Sequence, residues 1–409
     1  MTQRPRVCVI WARLGPYHIA RLRAAHALLL QHDHDLVALE VASQDTTYDW
    51  DTEARTVPFQ WEIALPGSVY DHVASTEMTG AVEAALGRIA PEAVAFPSYS
   101  TPEAWAALRW CRSHRKTAIM MNVSSATDAP RSSWRESLKQ ILVRQTDSAL
   151  VGGKAHADYL ADFGLPRDHI ARGYSAVDNA FFQDGARREA PPELPGLDDP
   201  APYVIASNRM IARKGLPSLL TAYAAYRERV AFPWRLLLLG DGPLRAELED
   251  MAGGGVVFCG FQQRDTLPLY YGRAEAFVHA AQMDQWALVV NEAMAAGLPV
   301  LVSTGAGCAP HLVERGRNGW TFEPGDTEAL TDLLVRLHEM PEADRQAMGT
   351  ASQEIIAEYG PDAFARGLWK AFQDGRARSK RGLGLSARLA LTALVHLSRR
   401  ANSLHAITE

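Results

Sequence analysis

Asp284 and Glu292 stand eight positions apart in the stretch 284–300, DQWALVVNEAMAAGLPV, directly after the apolar run 274–280. That spacing puts Asp284 in a loop after a buried strand and Glu292 on a helix beginning near Trp286 or Ala287. The first amides of a helix lack intrahelical partners and sit at the positive end of its macrodipole, so they gather anions. Trp286, Ala287 and Leu288 are the residues that bring those amides. Phosphate-binding amides flanked by two hydroxyl-gripping carboxylates suit a nucleotide diphosphate sugar, with its dianionic diphosphate and two polyhydroxylated rings. The same residues also fit an ordinary core helix stopped by Gly297-Leu298-Pro299. This segment alone leaves both readings open.

A second group stands upstream. Asn208-Arg209 ends a strand-like run, and Arg213-Lys214-Gly215 follows just before a helix whose entry Pro217 marks. Arg supplies a planar fork for phosphate oxygens and Lys a compact charge, so the pair makes a clamp that offsets charge on a departing diphosphate. A solvated basic loop is the alternative. Gly240-Asp241-Gly242-Pro243 closes the next strand and opens another helix, so the amides of Gly240 and Gly242 are expected on the same edge, unless the segment is plain turn chemistry. No GxxxxGK[ST] loop occurs and no GxGxxG follows the first strand, which argues against an NTPase or a dehydrogenase.

These residues need a scaffold, and the chain supplies an alternation of apolar runs and helical patterns. A strand over 6–11, the breakers Gly15-Pro16, a helix over 17–30 and a strand over 36–41 make a βαβ opening. Further runs at 93–96, 117–121 and 148–151 alternate with helices over 101–112 and 131–144. After 183–202, poor in apolar residues and rich in Pro, Gly and acids, the alternation restarts. Strands are expected over 203–207, 235–239, 256–259, 275–279 and 298–302, with helices over 216–227, 243–251, 287–296 and 326–338. The expected architecture is α/β, two doubly wound Rossmann-like domains facing a cleft. The expected domains are 1–182, a linker over 183–202, a donor-binding domain over 203–360 and a helical segment over 361–409 that packs back on the first domain. Residues 376–400 mix Arg and Lys with Leu, Ala and Val, which fits a packed terminal helix or, alternatively, a membrane-surface helix facing anionic lipid.

Composition narrows the class. The 409 residues are 47% hydrophobic and 22% charged, as in a soluble globular chain, and a net charge of -5 offers no global attraction to nucleic acid. Cys8, Cys111, Cys259 and Cys308 have no paired spacing, which argues against a disulfide framework or a zinc site. No apolar stretch has signal-peptide or membrane-spanning length, so the expected location is cytoplasmic, or peripheral at the inner membrane face through the basic tail.

Over roughly residues 203–340 the chain resembles the nucleotide-binding half of the family 4 retaining glycosyltransferases of the GT-B fold. Arg209 with Lys214-Gly215 matches that family's RxxxxKG, the turn Gly240 to Pro243 and the pair Gly260-Phe261 fall where it has them, and Asp284, Glu292 and the run to Val300 match its paired acids ahead of EAMAxGxPV. The resemblance implies that Arg209 and Lys214 hold the donor diphosphate, that Glu292 holds the ribose hydroxyls, and that Asp284 faces the donor sugar. It also implies that the loop 303–310 passes close to both diphosphate and sugar. The chain departs from the family in Asp284, where most relatives have Glu, and in Gln285-Trp286-Ala287, where they have glycine-aromatic-glycine. The first domain matches more loosely, with Gly15-Pro16 in place of a glycine pair and no histidine in 121–128, where many relatives place one near the donor sugar. Gly15, Asn122, Ser124, Asp128 and Arg131 are its candidates for sugar or acceptor contacts, with capping and turn chemistry as the alternative for Ser124 to Asp128. His18 is a weaker candidate base or hydroxyl ligand.

Together these features predict a metal-independent, retaining glycosyltransferase that moves a sugar from a nucleotide diphosphate donor, with UDP-sugars favoured. No cofactor is expected beyond that donor, and the acceptor is a hydroxyl of a polysaccharide, glycolipid or small natural product. A sugar-nucleotide epimerase, a phosphorylase of the same architecture and a non-catalytic nucleotide-sugar-binding relative are the alternatives.

Overall fold

The computed structural model describes residues 4–44, 56–128, 131–189, 194–196, 198–378 and 382–397. Parts of the expected linker (190–193 and 197) and tail (379–381 and 398–409) lie outside the described residues. Short apolar runs bounded by Gly, Pro and Asp settle as strands, because a parallel strand covered on both faces has no need of polar alternation. In chain order they are β1 (Arg6–Trp11), β2 (Asp35–Gln44), β3 (Gln60–Val69), β4 (Ala93–Pro97), β5 (Thr117–Asn122), β6 (Ser148–Val151) and β7 (Ile170–Arg172). They continue with β8 (Tyr203–Ser207), β9 (Arg235–Leu239), β10 (Val256–Gly260), β11 (Ala276–His279), β12 (Val300–Ser303) and β13 (Gly319–Phe322).

All their pairings are parallel and they form two sheets, ordered β3-β2-β1-β4-β5-β6-β7 and β10-β9-β8-β11-β12-β13. The order reverses between β1 and β4 in the first sheet and between β8 and β11 in the second. At such a reversal the loops leaving two neighbouring strands part to opposite faces and open a crevice at the carboxyl edge.

The chain divides into two compact units, Met1–Ala176 with Pro361–Glu409, and Val177–Gly360. In the first, the helix Pro361–Ala377 covers one face of the sheet, burying Phe364, Leu368, Ala371 and Phe372 among Val7, Val9, Trp11, Leu22 and Leu29. Ser148 Oγ at the start of β6 donates to the Ala371 carbonyl at 2.6 Å and fixes the helix on the sheet. The helix Leu385–Leu397 also packs on this unit through Ala387, Leu391 and Val395, while Leu385 and Leu389 stay exposed. Among the described residues no helix is long and apolar enough to cross a membrane.

The second unit begins with the helix Asn179–Ala186, so residues 183–186, placed in a linker by their composition, are ordered as helix. Asp178 caps it by accepting from the Phe181 amide at 3.2 Å, and Phe182 is fully buried. One cap and one buried aromatic ring therefore outweigh a locally polar sequence. On one face of the second sheet Val204, Ala206, Leu236, Leu238, Val278 and Leu301 pack against the helices Leu216–Arg229 and Thr327–Glu339.

Candidate active site

The site grows from the carboxyl edge of the second sheet. β8 ends at Ser207, and the chain continues as Asn208, exposed Arg209 and buried Met210. This loop is braced by the turn after β9. A Cβ on Gly240 (φ +113) would come within 2.0 Å of the Asn208 carbonyl oxygen, and one on Gly242 (φ +157) within 2.6 Å of the Met210 carbonyl oxygen. Only glycine lets the two backbones approach so closely. The amides of this turn turn out to be used within the protein: Gly240 N–H donates to the Gly260 carbonyl at 2.8 Å and Gly242 N–H to Asp241 Oδ1 at 2.7 Å. Gly240 and Gly242 thus support the Arg209 loop instead of presenting amides to a ligand.

Lys214 closes a short 3-10 turn, Ala212–Lys214, and Gly215 (φ +65) turns the chain into the helix Leu216–Arg229. A Cβ on Gly215 would sit 2.0 Å from the Ala280 carbonyl oxygen, so this turn lies flush against the exit of β11. The amide of Gln282 donates to the Arg213 carbonyl at 2.8 Å and ties the two loops together. Across this junction, at the point where the strand order reverses, Lys214 Nζ meets Asp284 Oδ2 at 2.5 Å. Both side chains are about five-sixths buried, at 16% and 15% exposure.

Asp284 has further partners. Its Oδ1 accepts from the amides of Trp286 at 3.3 Å and Ala287 at 3.1 Å, and its own backbone joins the loop after β12 through Gly305 and Gly307. His279, the last residue of β11 and fully buried, places Nε2 3.2 Å from Asp284 Oδ2, a close polar contact just outside hydrogen-bond geometry, and its Nδ1 has no hydrogen-bond partner. Burial by itself would raise the Asp284 carboxyl. The proximity of His279 and the charge of Lys214 outweigh it and hold the group well below the ordinary carboxylate range. Burial lowers the His279 imidazole, leaving it neutral.

Ala287 then takes a left-handed conformation (φ 71, ψ 73) and starts the helix Leu288–Ala295. Of the three residues expected to present amides, Trp286 and Ala287 give theirs to Asp284, and Leu288 opens the helix itself. The Trp286 ring is buried, donating Nε1–H to Asn291 Oδ1 at 3.0 Å and stacking on His311. Glu292, one turn into the helix and 2% exposed, accepts from Tyr271 Oη at 2.9 Å, and Ser207 at the end of β8 lies beside the same phenol. Burial, with the Glu292 charge beside it, pushes the Tyr271 phenol well above its usual value, so it stays a donor. The second sheet thus brings Lys214, Asp284, Leu288 and Glu292 to one edge, with Arg209 on the adjoining loop. His279, Tyr271 and Ser207 complete the arrangement. The one sequence signal for the first was a lone histidine in an otherwise apolar strand.

Gly15 and Asn122 lie in the other unit, after β1 and at the end of β5. The Gly15 amide donates to His18 Nδ1 at 3.0 Å, and burial, aided by the Arg21 charge, lowers that imidazole to about 3. Asn122 is 2% exposed; its Nδ2 donates to the Ser124 carbonyl at 3.1 Å and its Oδ1 has no partner. Ser124 to Asp128 form a turn in which Asp128 accepts from the Ser125 amide at 2.8 Å, and Arg131 donates to the Ala126 carbonyl at 3.1 Å. Among the described residues no three His, Cys, Asp or Glu side chains are grouped to hold a metal ion.

Residues 188–380 match the family model described as Glycosyl transferases group 1. The sulfoquinovosyl transferase SQD2 of Arabidopsis thaliana is 31% identical over 231 residues, 54% of this chain and 44% of that one. A GDP-mannose-dependent alpha-(1-6)-phosphatidylinositol monomannoside mannosyltransferase of Mycobacterium tuberculosis is 31% identical over 181 residues, 41% of this chain and 46% of that one. The matched region therefore spans about half the length of these curated relatives. The solved structure of Anabaena Alr3699/HepE in complex with UDP and glucose superposes with a TM-score of 0.67 at 14% identity, covering 90% of this chain and 99% of that one. Residues 188–380 are thus similar to the group 1 glycosyltransferases, and the chain as a whole shares the fold of its solved neighbours, with the two Rossmann-like units of the GT-B fold.

Proposed function

We propose that the chain transfers a sugar from a nucleotide diphosphate donor, with UDP-sugars favoured, to a hydroxyl acceptor, with retention at the anomeric carbon and without a metal ion. The observation that carries this reading is the convergence at one switch point of Lys214, the first turn of the helix Leu288–Ala295 and the buried carboxylate of Glu292. Relatives' names support it: one is a sulfoquinovosyl transferase, another a GDP-mannose-dependent mannosyltransferase, and the structural neighbour was solved with UDP and glucose. In this reading Arg209, Lys214 and the first helical amides hold the diphosphate, and Glu292 holds the ribose hydroxyls. Charge builds on the diphosphate as its bond to the anomeric carbon breaks, and the cations and amides stabilise it there. The acceptor oxygen bonds the same carbon on the face the diphosphate leaves, and its proton passes to a diphosphate oxygen. No strongly basic side chain is then required.

A thermal-shift panel of UDP-, GDP-, ADP- and dTDP-sugars with their free diphosphates tests the reading without added metal. A ligand at about 100 times its dissociation constant stabilises the fold by about 2.7 kcal/mol. Selective stabilisation by one nucleotide family identifies the donor, and no shift with any of them counts against the reading. Arg209→Ala and Lys214→Ala should then cut transfer by roughly 100-fold or more with the fold retained, as removal of a charge-stabilising group does. Full activity in either variant removes the clamp.

A further inference from the structure

We infer that Asp284 is a positioning residue, one that holds the Lys214 ammonium and the turn opening the helix Leu288–Ala295 in place for the diphosphate, and not a ligand of the donor sugar. This rests on the functional reading above and changes the role that the resemblance gives the residue. An ionised carboxylate has about four acceptor directions. At Asp284 three of them are filled from within the protein, Oδ1 by the amides of Trp286 and Ala287 and Oδ2 by Lys214 at 2.5 Å, and the buried His279 ring stands against the fourth with Nε2 3.2 Å from Oδ2. The main chain on either side is also bound, the Asp284 amide to the Gly305 carbonyl at 3.0 Å and the Asp284 carbonyl to the Gly307 amide at 2.8 Å.

Two neighbours explain why a carboxylate stands here. Ala287 is held in a left-handed conformation that side-chain-bearing residues rarely adopt, and the bonds to Oδ1 fix the two amides that define that turn. His279 is fully buried with an unpartnered Nδ1, and the polar group its ring approaches is Asp284. The buried histidine ring lies against Oδ2, Oδ2 holds the Lys214 ammonium at the edge of the sheet, and an arriving diphosphate finds the cation already placed.

The test is isothermal titration of the full chain with UDP and UDP-glucose, and with GDP and GDP-mannose. Asp284→Asn keeps an oxygen for the turn but can present an NH2 group to Lys214. We expect it to weaken bare diphosphate about tenfold and to leave the ratio of nucleotide-sugar to diphosphate Kd within twofold of wild type. In a Lys214→Met background the same change should alter the diphosphate Kd by less than twofold. A loss confined to the nucleotide sugar, or no loss for either ligand, overturns the inference. Should Asp284→Asn fail to fold, His279→Leu decides by the same two readouts, with a smaller loss of diphosphate affinity and an unchanged ratio expected. If no nucleotide binds wild type, or if Lys214→Met binds diphosphate as wild type does, the reading of the site itself fails and the inference falls with it.

Discussion

Tyr271 and Glu292 make a buried charge-assisted hydrogen bond, and such bonds are worth more than neutral ones because a carboxylate left short of a donor keeps its full desolvation penalty. Tyr271→Phe removes the donor without opening a cavity. It should destabilise the second unit by about 1.5–3 kcal/mol in urea titration, and weaken nucleoside diphosphate binding more than binding of a ribose-modified analogue lacking the hydroxyls. Equal effects on both ligands would mean that Glu292 does not grip the ribose. At the other end of the pH scale, His18 is lowered from 6.5 to about 3, so the unfolded chain takes up its proton first as pH falls. Its contribution to stability is complete above 6.5 and declines steadily toward 3. The urea midpoint should therefore drop between pH 7.5 and pH 5 by less in His18→Gln than in wild type, and an identical drop would show that the imidazole titrates normally. The positions of Arg209, Lys214 and Glu292 were legible in the sequence because each follows directly from its place relative to a strand end or a helix start. The use that Asp284 makes of its carboxylate was not legible, since Lys214 lies 70 residues away and the contact exists only once β8 and β11 are neighbours.

Among the elements, the turn into the helix Leu288–Ala295 has one residue out of keeping with its backbone. Ala287 at φ 71 carries about 1–2 kcal/mol of steric penalty, partly offset by the larger chain entropy of glycine in the unfolded state. Ala287→Gly should consequently raise the stability of the second unit by about 0.5–1 kcal/mol, read as a higher urea midpoint, and a lower midpoint would mean that the methyl group is packed to advantage. Most strands were recognisable from short apolar runs, and β6, β8 and β9 fall where the runs predict. β3 was missed because it carries Pro66 and Gly67 and is half exposed, the composition of a sheet edge and not of a buried run. β7 was missed because its three residues end in Arg172, and β13 because Gly319 and Thr321 interrupt what would otherwise be an apolar run.

At the scale of the molecule, the first unit is built from two separated stretches, and its sheet depends on the helix Pro361–Ala377 for one covered face. Phe372 is 1% exposed in that face, and Phe372→Ala should cost about 3–5 kcal/mol. Hydrogen exchange should show the loss in β1, β5 and β6 while β8 and β11 keep their protection. A uniform loss through both sheets would mean that the units unfold as one. The same arrangement has a consequence for how the protein is made. The second unit is one uninterrupted stretch, whereas the first cannot finish covering its sheet until residues 361–377 have been synthesised. At about 5–20 residues per second, translation of the intervening residues takes on the order of 10 to 40 s. During that interval the amino-terminal half waits on the ribosome with this apolar face only partly covered, by the helix Pro16–Gln31, so the unit begun first is the one completed last, and it is the half most in need of a chaperone.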